Sequence, residues 1–423
     1  MPEDTFSRYD RQAITGLLHI TNLQQLKSMK HILLLVFALA ALTSCSSSSS
    51  SDNPAPTPPA DIVEPDVAET TVIVYMPYTG PVDELTSFLQ NNLTQMRNVI
   101  RSQKGMDNDK VVVFVSTSKQ TSHLIQYHYS RLNDVVVSDT LRTFDNSQLD
   151  FTSSELIRQI ATLAKTAAPA NDYAMIIGCH AIGWVHKDKI NGVFTRSFGG
   201  NGDNNYIMEN KCLPKGLAAA GIGKLKYLVF DDCYMANIET AYELRSCTHK
   251  LIASTCEIMA DGLPYTTMFQ HLLGTPDYQA VIKAFGNYYS QNSNPYGTLS
   301  LIDCDQLEAF AQVMKRVNTE TAALEESEVS TLQRFDGYNH AVFYDLGDYI
   351  AQRCKGNADL LSQANAALSL LVPYKTNTAR YYSATSSGAH DIKTYSGISC
   401  SDPSLNGAIQ EDKLLTEWWQ ATH

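Results

Sequence analysis

The chain lacks an excess of positive charge: 32 Lys and Arg stand against 44 Asp and Glu, a formal net charge of −12. A nucleic-acid surface needs a basic footprint, so that class of partner is not expected. It also lacks a hydrophobic run long enough to cross a bilayer. The apolar stretch from Ile32 to Leu42 falls well short of the roughly 20 residues a spanning helix requires. No Cys-x-x-Cys pair and no His/Cys cluster is present, so the sequence offers no structural metal site. There is no internal repeat, which excludes a solenoid or propeller. What remains is 423 residues with 44% hydrophobic and 18% charged content, the composition of a soluble globular protein with ample length for a core.

The N-terminus has a separate character. Met29-Lys30-His31, the apolar run and then Leu42-Thr43-Ser44-Cys45 have the basic-then-apolar form of a secretory signal. The ending resembles a bacterial lipobox, which implies cleavage before Cys45 and lipid attachment to it. The alternative is an ordinary signal peptide with an incidental Cys. Residues 1–28 have no signal character and read as an upstream segment of a misassigned start, with 29–44 the signal peptide. Residues 45–69 begin with a Ser run and continue with Pro and Ala, a composition that buries no core and reads as a disordered tether. This places the folded part, 70–423, in a bacterial cell envelope, lipid-anchored at a periplasmic face or the cell surface.

From about Thr70 short β-rich runs alternate with longer helical ones. Strands are expected at 71–78, 111–117, 173–178, 227–230, 250–255 and 298–303, with a hairpin over 123–140. Helices are expected at 82–101, 152–167, 234–245, 264–273, 277–291, 305–326 and 357–371, and a last one ends at Trp418-Trp419. Thr152 or Ser153 caps the second of these, with Glu155 in its first turn. The β-α-β-α order predicts an α/β fold, a doubly wound and mostly parallel sheet flanked by helices, with a C-terminal extension packed on it.

Two apolar runs stop abruptly at reactive side chains: YAMIIGCHAIGW at His180 and YLVFDDCYMANIETAYEL at Cys233. Parallel strands deliver such residues to one sheet edge, where open α/β sheets place their ligands. A Cys and a His brought together there are the minimum for a thiol nucleophile with its base. The thiolate is the attacking species, and a free thiol near pKa 8.5 is mostly protonated at neutral pH, which is why an imidazole is needed beside it.

These segments, with ASTCEIMADGLPYTTM (253–268) and YSGISC (395–400), resemble the clostripain-like cysteine peptidases, relatives of caspases, gingipains and legumains. The resemblance covers most of 70–423 in the right order. It implies a caspase-like fold and a cysteine endopeptidase acting through an acyl-enzyme, with Cys233 as nucleophile and His180 as base. It further implies an oxyanion hole from the backbone N–H groups of Ala181 and Cys233, and Asp231 at the base of the S1 pocket, selecting Arg or Lys. Self-cleavage between the His and Cys strands follows from it too, with Arg196 the candidate and Lys187, Lys189 and Lys211 equally accessible. No cofactor is expected. Calcium, which some relatives require, has only Asp203 in a short acidic loop to point to it. Polypeptides with a basic P1 residue are the expected partners, with the membrane reached through the lipid, and the protein is expected to be a monomer.

Two positions depart from the pattern. Ala181 stands where Gly is usual, and a positive φ there would be costly. Asp232 stands where a small residue is usual, and a carboxylate facing the site would raise the thiol pKa. Strand alternation, however, sends Asp231 and Asp232 to opposite faces. These departures leave an alternative reading, a catalytically weak or inactive binding lipoprotein on the same fold. Among other candidates, Cys179 should point away from His180's side as a packed neighbour, and His186 reads as a loop residue. Glu239 and Glu243 read as solvent-facing or pairing, and Met235 and Tyr242 as core. Setting Cys45 and Cys233 aside leaves seven cysteines, so at least one more is free; Cys247, Cys256, Cys304 and Cys354 read as small core residues.

Overall fold

The computed structural model describes residues 67–78, 80, 85–185, 198–199 and 204–423. Cys45, His186, Lys187, Lys189, Arg196 and Asp203 lie outside these residues. Five strands open the fold: β1 (Ala68–Met76), β2 (Lys110–Ser116), β3 (Thr121–Ser130), β4 (Val135–Asp145) and β5 (Ala170–Gly178). The short β6 (His180–Ala181), β7 (Phe198–Gly199) and β8 (Ile207–Met208) form a small antiparallel sheet of their own. Then come β9 (Leu228–Asp231), β10 (Lys250–Ala253), β11 (Thr298–Asp303), β12 (Tyr344–Asp345), β13 (Tyr374–Asn377), β14 (Arg380–Ser383), β15 (Gly388–Asp391) and β16 (Ser399–Cys400).

The main sheet has nine strands in the order β13-β11-β10-β9-β5-β1-β2-β3-β4. Its centre, β10-β9-β5-β1-β2, is parallel. The hairpin β3-β4 continues it antiparallel on one side, and β11 and β13 do so on the other. From β1 the chain winds first towards β2 and then, through β5, in the opposite direction. The crevice at the carboxyl ends of β1 and β5 is therefore the topological switch point, where such folds bind ligands.

Both faces of the centre are buried, and alternation sorts the side chains between them. Ile73, Tyr75, Val112, Phe114, Met175, Ile177, Leu228 and Phe230 enter one core, against the helices Ser154–Ala167, Cys212–Ala219, Ile238–Leu244 and Leu307–Glu320. Val72, Val74, Val111, Val113, Ala174, Ile176 and Val229 enter the other, against the helices Ser87–Ser102 and Tyr278–Gln291. Ser153 does cap the helix Ser154–Ala167, its hydroxyl accepting from the N–H of Leu156. The C-terminal residues join the same body: β13 extends the main sheet, and Trp418 is fully buried in the first core.

Two expectations about elements need correction. The helix after Cys233 begins only at Ile238, because Tyr234 adopts a left-handed conformation (φ 61°) and residues 234–237 turn before the helix starts. Asn237 is its cap, accepting from the Thr240 N–H at 2.7 Å. The 264–273 helix is a four-residue turn, Tyr265–Met268, followed by a 3-10 turn Phe269–His271.

Candidate active site

The last hydrogen-bonded rung between β5 and β9 pairs Gly178 with Asp231. His180 and Cys233 each lie two residues beyond that rung, just past the ends of neighbouring parallel strands whose axes run about 4.8 Å apart. Both line one cavity of about 240 Å³ at the switch point, together with Leu89 and Asn92 from the helix after β1 and Glu257, Ile258 and Gly262 from the segment after β10. The two residues singled out from distant segments are therefore brought to the same edge.

The backbone after β5 is set by β7 and by a glycine. His180 pairs with Gly199 and Ala181 with Phe198, so Ala181 is in extended conformation and carries no positive φ. The strain expected there is absent. The left-handed residue of this segment is Gly183 (φ 68°). A Cβ on Gly183 would lie 2.6 Å from Asn237 Nδ2, 2.9 Å from Phe343 Cζ and 2.9 Å from the Tyr234 carbonyl oxygen. The turn carrying His180 and the turn carrying Cys233 thus meet backbone to backbone at this glycine. Asn210 Nδ2 donates to the Gly183 carbonyl (3.1 Å), and Trp184 Nε1 donates to Ser401 Oγ (2.8 Å), which fixes the loop from its outer side.

Cys233 is half-buried. Its sulfur accepts from the Ile258 N–H at 3.4 Å and lies 3.8 Å from the Ile258 carbonyl oxygen. Burial, and next the charge of Glu257, push its thiol pKa well up, with Asp232 a smaller influence. Asp232 is buried and accepts from the Cys179 N–H at 2.5 Å. Burial drives its carboxyl well above the ordinary range, so it presents less negative charge to the sulfur than an exposed acid would. Cys179 is buried in the core cluster beneath the site, as alternation required.

Asp231 points to the opposite face from Asp232 and lines the cavity. Its Oδ1 accepts from the Leu263 N–H at 2.8 Å, and the Asn92 side-chain amide lies 3.3 Å from its Oδ2. Gly262 (φ 71°) lets the turn wrap the carboxylate, since a Cβ there would sit 2.8 Å from Oδ2. Burial raises the Asp231 pKa to about 7, opposed by hydrogen bonding from Tyr265, Leu263 and Asn92.

Sequence reasoning missed Glu257 as an individual residue, although it lies in the segment ASTCEIMADGLPYTTM. Its Oε1 accepts from Tyr234 Oη (2.7 Å), Ser383 Oγ (2.9 Å) and the Ala384 N–H (2.9 Å). Glu239, expected to face solvent or pair, is buried instead and accepts from the Ser401 N–H at 2.6 Å. The C-terminal segment covers its helix, which no periodicity in that helix reveals. Met235 and Tyr242 are core residues, and Lys211 is paired with Glu209 at 2.5 Å. Among the described residues no group of three or more His, Cys, Asp or Glu side chains is arranged to hold a metal ion. The described cysteines, Cys247, Cys256, Cys304 and Cys354 among them, are all free thiols.

The family model of the clostripain family, peptidase C11, matches residues 74–398. Among solved structures, the chain is similar to a secreted C11 cysteine protease of Bacteroides thetaiotaomicron, iotapain, at 35% identity and TM-score 0.78, over 84% of this chain and 100% of that one. It is similar at 41% identity and TM-score 0.51 to a clostripain of the same organism bound to the peptide inhibitor BTN-VLTK-AOMK, over 53% of this chain and 99% of that one. An inactive zymogen C11 protease of Parabacteroides distasonis shares the fold at 23% identity and TM-score 0.71, over 85% of this chain and 99% of that one. No curated protein matches the chain.

Proposed function

The chain belongs to the clostripain family and is a cysteine-type peptidase with the caspase-like fold; on that premise we propose that it is an endopeptidase cutting after Arg or Lys through Cys233 and His180. The observation that carries the proposal is the shared position of the two residues, each two beyond the Gly178–Asp231 rung and both on one cavity. In this reading the His180 imidazole takes the thiol proton as Cys233 Sγ attacks the scissile carbonyl. The C–N bond then breaks as the imidazolium returns the proton to the leaving amine. Water hydrolyses the resulting thioester with His180 again as base. The oxyanion is assigned to the backbone N–H groups of Ala181 and Cys233, each such donor being worth about 3–4 kcal/mol in comparable sites.

Asp231 is assigned to the base of the S1 pocket, where a carboxylate pairs with guanidinium or ammonium. The Lys ending the VLTK sequence of the inhibitor bound to the 41%-identical clostripain supports a basic P1. We assign the protein to the bacterial envelope, lipid-anchored through Cys45 and acting as a monomer, with iotapain's secreted character in support. Self-cleavage is assigned to Arg196. No cofactor is invoked, and calcium enters only as an arm of the test.

The test is hydrolysis of fluorogenic Arg and Lys peptides by the mature chain and its Cys233→Ala variant, before and after trypsin nicking, with and without calcium. Turnover by the wild type alone is expected. No turnover under any condition would refute the endopeptidase reading. A Cys233→Ala chain cut at Arg196 in the absence of other proteases would refute self-cleavage.

A further inference from the structure

The nucleophile turn and the C-terminal hairpin are joined by one carboxylate. Glu257 follows β10 and lines the cavity beside Cys233. On one side it accepts from Tyr234 Oη at 2.7 Å, on the residue directly after the nucleophile. On the other it accepts from Ser383 Oγ at 2.9 Å and from the Ala384 N–H, at 2.9 Å to Oε1 and 3.0 Å to Oε2. Ser383 ends β14, and Ala384 and Thr385, at the tip of the β14-β15 hairpin, form a wall of the cavity. Bonds to an ionised acceptor are the strong ones, and here they converge on a single group from two separate elements.

Tyr234 needs such holding. A non-glycine residue at φ 61° persists only when its surroundings over-determine it. Its N–H donates to the Cys256 carbonyl (3.0 Å), its own carbonyl accepts from Asn237 Nδ2 (2.6 Å), and its ring stacks on Phe343 at 5.1 Å. Glu257 fixes the remaining end of the side chain.

Resting on the peptidase reading above, we propose that Glu257 is a positioning residue that clamps the 383–385 hairpin tip to the nucleophile turn, so that the substrate cleft has a fixed wall opposite Cys233. The same carboxylate raises the thiol pKa, so it trades nucleophile ionisation for cleft geometry. The titratable groups on this cavity besides Cys233 and Glu257 are Cys179, His180, Asp231, Asp232, Tyr234 and Tyr338.

Glu257→Gln keeps one acceptor oxygen but removes the charge and sets an amide NH₂ against the Ala384 N–H. Its KM for a basic fluorogenic peptide should rise about tenfold, the effect of losing one charge-assisted bond. The midpoint of Cys233 alkylation by iodoacetamide should move to lower pH. Ser383→Ala and Tyr234→Phe remove single donors and keep the charge; each should raise KM without moving the alkylation midpoint. Amide exchange at 383–385 should quicken in all three variants. Wild-type KM and exchange in Ser383→Ala and Tyr234→Phe would overturn the clamp, and these two carry the test if Glu257→Gln does not fold. An unmoved alkylation midpoint in folded Glu257→Gln would overturn the charge role. A wild type that cleaves no peptide refutes the peptidase reading instead, and the alkylation and exchange arms, which need no substrate, still decide the clamp.

Discussion

Asp231 and Asp232 are consecutive acids with different fates, and strand alternation alone separates them. Both line the cavity, but Asp231 accepts from the Leu263 N–H while Asp232 accepts from the Cys179 N–H. Because burial lifts Asp231 to about 7, the empty pocket gains its negative charge only as pH rises through neutrality. The KM for an Arg substrate should therefore fall between pH 6 and 8 beyond any change seen with a neutral P1. Asp231→Asn should abolish that pH dependence and raise KM by about 10–100-fold, as expected for a lost charged hydrogen bond. Steady-state kinetics with matched Arg and citrulline peptides measure both. The sign for stability is opposite: a raised folded pKa means that folding takes up a proton between about pH 4 and 7, so this residue's contribution is lost as pH rises through that range. At this scale the chemistry was legible in the sequence because reactive side chains end apolar runs. The left-handed Tyr234 was not, since nothing local marks a tyrosine for φ 61°. Apart from Asn237, the contacts holding it come from Cys256, Glu257 and Phe343, all distant in sequence.

At the scale of elements, the turns carrying His180 and Cys233 are registered against each other through Gly183. Gly183→Ala adds a methyl into Asn237, Phe343 and the Tyr234 carbonyl at a positive φ. The expected cost is about 2 kcal/mol or more from conformation and overpacking together, read from urea denaturation. Activity should fall further than stability, because relief of the clash moves the His180 turn from the Cys233 turn; kcat/KM measured well below the unfolding transition separates the two. The parallel centre and the β3-β4 hairpin were readable from periodicity, since buried strands are continuous Val/Ile runs. The antiparallel direction of β11 was not, because a two-face-buried strand such as TLSLID has the same pattern in either direction. Nor was the late start of the helix at Ile238, since Met-Ala-Asn before it satisfies helical spacing while Asn237 serves as its cap.

At the scale of the whole molecule, the chain's end returns to brace the site. Trp418 stacks on Phe310 at 6.0 Å and meets Tyr242 edge-on at 5.7 Å, while its indole N–H faces Asp402. Ser401 bonds both Trp184 and Glu239, linking this segment to the His180 loop and to the helix after Cys233. Burial, and then the charge of Asp402, push Glu239 well up, and burial lifts Asp402 as well; the neighbouring Lys413 is pushed down by burial. Folding thus holds protons on these acids that the unfolded chain releases, and their contribution to stability falls as pH rises from the ordinary carboxylate range, about 4, through neutrality. Glu239→Gln, which imitates the protonated acid and keeps the acceptor for Ser401, should match the wild type to within about 1 kcal/mol at pH 6. It should then lose less than the wild type by pH 9, as thermal unfolding across that range will show. The terminal Trp pair signalled a packed end from the sequence, but its partners on other elements did not.

The free thiols carry one last consequence. Among the described residues no covalent bridge joins any part of this fold to another. The described scaffold therefore holds no disulfide for a change of redox poise to break, whereas the proposed reaction depends on a thiol. A reductant added to keep Cys233 in its reactive state loosens nothing in the scaffold. On the proposed reading of Cys233 as the nucleophile, mild oxidation of its sulfur should silence the enzyme without unfolding it, and a thiol should restore it without any refolding step.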